Sequence, residues 1–290
     1  MKINVIKKFG PLNSAPVFDA FINSLEATGD KVLINSNEKC DVAVIWSVLW
    51  LGRMSKYKSI WDEYQRQGKP VIVLEVGGIL RNETWKIGIN GVNREADFAN
   101  DNVTDNRWPK FKIKMKPWKQ TGDKIIICGQ HGSSHQWRNN PPMIQWLDQQ
   151  ITGVRQYTDK PIVIRPHPRN HVQINVGKFN NVKIIGPKKD NNTYDDTNLK
   201  DIFGDAWALI NYSSNPAMQA IFNGIPVFTS PASLSFDVSN NNIKNINSPE
   251  MPDRKKWANK LSHTEWWIDE IKNGLPWRRI KARLEEKYLK

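Results

Sequence analysis

The 290 residues carry 42 Lys and Arg against 29 Asp and Glu, a net charge of +13, with 39% hydrophobic and 24% charged side chains. That balance supports a packed core and excludes wholesale disorder; no apolar run approaches the ~20 residues that span a bilayer, and Lys7 and Lys8 stand where a secretory signal needs its apolar centre. Two cysteines, Cys40 and Cys128, exclude a disulfide framework and a four-cysteine zinc site, so the expectation is a cytoplasmic protein, and a prior of about 150 residues per domain gives two domains.

In chain order, residues 2–6 read as a first strand. Val17, Phe18, Phe21, Ile22 and Leu25 fall at helical spacing and predict a helix over 16–27, ended by Gly29. Strands follow at 31–34 and 41–46, then an amphipathic helix over 55–67 stopped by Gly68. The strand at 70–74 runs into Glu75-Val76-Gly77-Gly78. Alternating strands and helices predict a parallel sheet covered on both faces. From 100 to 122 the pattern breaks. Six basic residues lie between Arg107 and Lys119 with no acid among them. Phe111, Ile113 and Met115 alternate with Lys112, Lys114 and Lys116, as in an edge strand with a cationic face. This stretch is read as the domain boundary, with an N-terminal acceptor-binding domain at 1–120.

The second domain, 121–261, opens with a strand at 124–128 and the loop Gly129-Gln130-His131-Gly132-Ser133-Ser134. A helix is predicted over 142–151. Strands at 161–164 and 182–185 flank Arg165-Pro166-His167-Pro168-Arg169. A short helix at 198–203 precedes a strand at 206–210 and the loop Asn211-Tyr212-Ser213-Ser214-Asn215. Pro216 sits at a favourable first-turn position of a helix over 216–222, and one more strand spans 225–228. The rest, 262–290, reads as helical, Trp-rich and basic, and is expected to pack back on the N-terminal domain. Two successive α/β domains with a terminal helix outline the GT-B architecture: two Rossmann-like domains facing a cleft, with the ligand outside the carboxyl ends of the strands.

Three polar loops that follow strands carry the chemistry. Ser213 and Ser214, ahead of a helix, can donate to phosphate oxygens, although Ser before Pro is also a common cap. His167 can hydrogen-bond a phosphate or protonate a leaving group, or simply shape a turn between two prolines. Glu75 can deprotonate an acceptor hydroxyl. Arg165 and Arg169 flank the His-Pro pair as phosphate clamps. Residues Gly129, Gln130, His131 and Ser133 lack the glycine spacing of a dinucleotide fingerprint but can cradle a phosphate through backbone N–H groups. His131 and His135 lie four apart without an accompanying acid, which discounts zinc.

An acidic position followed by Gly, then His-Pro, then Ser-Ser, here Glu75-Val76-Gly77, His167-Pro168 and Ser213-Ser214, resembles the motif series of bacterial sialyltransferases and of the Kdo transferases of capsule synthesis. The stretches LEVGGILRNETW and NPAMQAIFNGIPVF extend the likeness. The resemblance implies a GT-B fold, no obligatory metal, a nucleotide-sugar donor that is UDP- or CMP-linked, and donor phosphate binding by the Ser pair, His167 and Pro168. Two departures stand out. Val76 replaces the acid that serves as general base in sialyltransferases, leaving Glu75, Asp97 or Asp101 for that role. Gln219 occupies a position where many GT-B enzymes carry a ribose-binding Glu.

The acceptor follows from charge. The compact, basic GT-B proteins with which some phages glucosylate hydroxymethylated pyrimidines suggest duplex DNA, gripped by Arg81, Arg107, Lys112, Lys114, Lys116 and the basic tail 278–283, with Trp85, Trp108 or Trp118 stacking on a flipped base or filling its gap. A cell-surface polysaccharide or lipopolysaccharide acceptor is the alternative enzyme reading. A non-catalytic nucleic-acid-binding protein on a degenerate transferase fold is the third.

Overall fold

The computed structural model describes residues 1–103, 105–170, 172–186 and 199–289. The chain divides into two compact units, residues Met1–Phe111 with Ala258–Lys290, and residues Lys112–Trp257. Among the described residues no helix is long and apolar enough to cross a membrane.

The first unit begins with β1 (Lys2–Val5) and α1 (Ala15–Glu26), whose Val17, Phe18, Phe21 and Leu25 are wholly buried. Strands β2 (Lys31–Ile34) and β3 (Val42–Trp46) follow, and β3 is buried along its whole length, as its unbroken apolar run requires. After α2 (Tyr57–Arg66) comes β4 (Val71–Val76), which continues through Glu75 rather than stopping before it. A tight turn then leads into β5 (Thr84–Ile89), antiparallel to β4 and not anticipated from the sequence. Trp108–Phe111 form a turn of 3-10 helix with Phe111 buried, and the edge strand expected over 111–116 does not form.

The second unit contains β6 (Lys124–Cys128), α3 (Met143–Arg155), β7 (Ile162–Arg165), β8 (Val182–Ile184), β9 (Ala206–Asn211), α4 (Pro216–Phe222) and β10 (Val227–Phe228). The short helix expected at 198–203 is a 3-10 turn, Leu199–Ile202, and Asn198 lies outside the described residues. The division between the units falls inside α5 (Lys255–Ser262). The terminal segment is not helical throughout: β11 (Glu265–Trp267) pairs antiparallel with β5 before α6 (Ile268–Lys272) and α7 (Leu275–Lys287).

The boundaries therefore follow Phe111 and Trp257 rather than residues 120 and 261. Residues 112–120 belong to the second unit because their backbone is bonded there. Lys116 N–H donates to Phe222 O, and Lys119 N–H donates to Gly224 O. Gly224 has φ +75°, and a Cβ there would overlap the Pro117 carbonyl. Lys112, Lys114 and Lys116 remain exposed while Ile113 and Met115 turn inward, so the alternation is real but forms no strand.

Sheet order in the first unit is β11-β5-β4-β3-β1-β2. Its parallel part, β4-β3-β1-β2, reverses direction of winding between β1 and β3. The second sheet, β10-β9-β6-β7-β8, is parallel throughout. In order of appearance within the unit this is the doubly wound arrangement with its switch point between β6 and β9. There the loops leave neighbouring strands in opposite directions and open a crevice at the carboxyl ends.

Candidate functional site

The crevice of the second unit is lined by the loops that the sequence singled out. Gly129-Gln130-His131 follows β6, Pro166-His167-Pro168-Arg169 follows β7, and Tyr212-Ser213-Ser214 follows β9. One brace ties two of them together. Gln130 Oε1 accepts from Ser213 N–H at 3.2 Å and from Ser213 Oγ at 3.1 Å, while Gln130 Nε2 donates to Ser134 Oγ at 3.2 Å. Gln130 and Ser213 are both buried. The Gln130 carbonyl accepts from Asn170 Nδ2 at 3.1 Å, which joins the loop after β7 to the same knot. Gln130 and Ser213 thus position the loops. Ser214 is half-buried, and its Oγ accepts from Asn211 Nδ2 at 2.8 Å, so its own proton can be donated. Ser213 does not cap α4, whose N-cap is Asn215.

The two histidines adopt one device. His131 Nδ1 accepts from Ser133 N–H, and His167 Nδ1 accepts from Arg169 N–H, each at 3.1 Å. An imidazole nitrogen that accepts carries no proton, so in the neutral ring the proton sits on Nε2. The rings meet edge to face with centroids 5.4 Å apart. Burial holds His131 below the usual histidine range, the Arg169 carbonyl works against that, and the Arg169 charge adds to it.

Arg165 ends β7 and is buried, donating to Gly186 O at 2.9 Å. Burial works against its charge, which Asp201 favours; an arriving phosphate would relieve that penalty. Arg169 is exposed, and His167 and Pro168 are half-buried. Gly129 N–H donates to Arg165 O, Ser133 N–H to His131 Nδ1 and Ser134 N–H to His131 O. A backbone cradle is therefore left to residues 130–132. Gln219 lies half-buried on α4. Cys128 is no nucleophile, because burial pushes its thiol up to about 12. Among the described residues, no group of three or more His, Cys, Asp or Glu side chains could hold a metal ion.

Glu75 belongs to the first unit. It is half-buried near the carboxyl end of β4, and its Oε1 accepts from Val76 N–H at 2.8 Å. Lys86 on β5 lies directly opposite both Glu75 on β4 and Glu265 on β11, so the three side chains share one face of the sheet. Glu265 was not anticipated. Wholly buried, it accepts from Gly78 N–H at 2.7 Å, from Ile79 N–H at 3.0 and 3.2 Å, and from Thr84 Oγ1 at 2.8 Å. It holds the turn immediately after Glu75. Gly77 is required there, because a Cβ would overlap the Thr84 carbonyl and the Glu265 carboxylate. Only its distance in sequence, 187 residues from Gly78, hid this contact.

Several residues expected to touch an acceptor hold the first unit together instead. Arg107 is buried, grips Glu270 through two bonds of 2.8 and 2.7 Å, donates to Ser262 O, and stacks 4.2 Å over Trp266. Asp97 and Asp101 are taken by Arg283, at 3.3 and 2.9 Å, so neither stands as an unengaged base. Lys281 and the chain's first amino group both bind the buried Asp30. Trp85 packs against the core and Trp108 stacks on Phe111. In the second unit Trp118 donates to Pro252 O and lies under Arg254, and Lys119 donates to the carbonyls of Phe203 and Gly204. Exposed cations from the expected set are Arg81, Lys112, Lys114, Lys116 and Arg278.

No protein-family profile and no curated protein sequence matches the chain. Two solved structures resemble it over nearly their whole length. The β-Kdo 2,4-transferase of KpsC from Thermosulfurimonas dismutans is 11% identical, with 95% of this chain and 98% of that chain covered and a TM-score of 0.53. The β-Kdo 2,7-transferase of the same protein is 14% identical, with 96% and 100% covered and the same TM-score of 0.53. The likeness is one of fold, and it places the chain in the GT-B class of two Rossmann-like units.

Proposed function

We propose that the chain is a glycosyltransferase that moves a sugar from a nucleotide sugar to a hydroxyl acceptor. The observation that carries this reading is the gathering of His167, Arg165 and Ser214 near the β6/β9 switch point of a doubly wound sheet. These are donors for an anionic leaving group, held by a buried Gln130–Ser213 brace. In the proposed step the acceptor oxygen bonds to the anomeric carbon as the bond from that carbon to the phosphate oxygen breaks. The electron pair leaves with the nucleotide phosphate, and the acceptor proton passes to a carboxylate acting as general base. His167 Nε2–H, Ser214 and Arg165 stabilise the charge that builds on the departing phosphate, where preorganised donors act most strongly.

The test is a thermal-shift series with UDP, CMP and their sugars, followed by turnover with the stabilising donor. A ligand present at 100 times its Kd raises stability by about 2.7 kcal/mol. If none of the nucleotides or nucleotide sugars stabilises the chain and none is hydrolysed, the reading fails.

One observation favours duplex DNA as the acceptor: the exposed row Lys112, Lys114 and Lys116. Three phosphate contacts give binding that weakens with a log–log salt slope of roughly −3. Transfer to hydroxymethylcytosine duplex supports this acceptor. Transfer to a saccharide alone moves the acceptor to the surface-glycan class, and salt-sensitive DNA binding without donor hydrolysis marks a non-catalytic nucleic-acid-binding protein.

A further inference from the structure

A cavity of about 430 Å³ lies in the first unit, between α7, the residues just before β11 and the segment around 99–110. None of the loops that follow β1, β3 or β4 lines it. It is therefore separate from the carboxyl ends of the parallel strands.

Its lining is cationic, and the neighbouring acids are already engaged. Glu270 is held by Arg107 at 2.7 Å with Lys110 at 3.7 Å, and Asp97 and Asp101 are held by Arg283. Arg279 differs from these. Its guanidinium donates to His263 Nδ1 and to Ala99 O, each at 2.8 Å, and lies 5.6 Å from the Trp266 ring. Among the described residues no carboxylate pairs with it. An arginine can only donate, so His263 Nδ1 accepts and the His263 proton sits on Nε2, directed at Asp105 O at 3.2 Å. His263 is a neutral partner, and the Arg279 charge is left uncompensated in a half-buried position. Lys110, Arg278 and Arg279 share the lining with Asp105, the one carboxylate residue in it.

We propose that this cavity binds the phosphate of a phosphomonoester, with Arg279 as the central ligand and the exposed Arg278 and Lys110 at the rim. A monoester is close to a dianion at neutral pH and offers three oxygens, which suits a cationic lining and the planar fork of Arg279. A phosphodiester within a duplex carries one charge and sits on a convex ridge that does not enter a recess. The site stands independently of the transferase reading, since neither its residues nor its test involves turnover.

The experiment measures binding of inorganic phosphate and glucose 6-phosphate to the full chain by calorimetry and thermal shift, against chloride at matched ionic strength. Phosphate should raise the melting temperature and chloride should not. R279Q should weaken binding at least tenfold. Because Arg279 also bonds Ala99, a second variant, Lys110→Gln with Arg278→Gln, removes only exposed groups and should weaken binding about tenfold while melting as the parent does without phosphate. Equal shifts in phosphate and chloride, or unchanged affinity in the rim variant, overturn the proposal. So does displacement of phosphate by duplex DNA, or by phosphatidylglycerol vesicles, as effectively per phosphate as by the monoester.

Discussion

Replacing Glu265 by Gln changes one oxygen for an amide at the centre of the first unit. In the parent, two carboxylate oxygens accept from the N–H groups of Gly78 and Ile79 and from the Thr84 hydroxyl, and the residue is wholly buried. Gln keeps one accepting oxygen and presents an NH2 to a site where two of the three neighbours can only donate. Hydrogen bonds to a charged group contribute about 1.5–3 kcal/mol each, and a buried donor left unmatched costs ~1–3 kcal/mol. Losing one such bond and orphaning one donor gives a destabilisation of about 3–5 kcal/mol. At ~3 °C per kcal/mol, the melting temperature of the first unit should fall by roughly 10 °C in calorimetry. The turn after Glu75 should also loosen, seen as faster hydrogen exchange at Gly78 and Ile79. A fall under about 2 °C with exchange unchanged would refute the clamp.

His167→Ala should lower kcat by ~10²–10⁴-fold with an unaltered melting curve; unchanged turnover removes His167 from the reaction. Arg107→Ala should cost about 3–5 kcal/mol, since it strands the Glu270 carboxylate, whereas Lys112→Ala, Lys114→Ala and Lys116→Ala together should stay within ~0.5 kcal/mol per site; equal costs in urea unfolding contradict the assignment. Burial holds both His131 and His263 below their unfolded value, so the unfolded chain takes up protons that the folded one refuses. Unfolding free energy should therefore be level above about pH 7 and decline as pH falls below ~6.5. His263→Gln should reduce that slope, and a profile flat from pH 7 to 5 would contradict the sign.

Much of the second unit is legible in the chain. Its strands are short apolar runs bounded by Gly and Pro, and the loops after them carry the histidines and serines that meet at the switch point. Local pattern was enough because each strand is buried on both faces. What the pattern could not show is which polar groups are spent on one another: Gln130 and Ser213 are as polar as Ser214, yet they bond to each other. The first unit was harder. The strand over 84–89 contains Trp, Lys and Gly, and the strand over 265–267 lies within a basic, Trp-rich stretch, so neither stands out until one pairs with the other.

Composition and hydrophobic runs determined by themselves two α/β units, and the order of Glu75-Val76-Gly77, His167-Pro168 and Ser213-Ser214 placed polar loops after their strands. Folding alone decided how the charge is used. Arg107, Lys119, Lys281 and Arg283 look like any other surface cations in a sequence of net charge +13, but each meets an acid or a carbonyl brought from far along the chain. Charge acts through space, and a neighbour 163 residues away leaves no local mark.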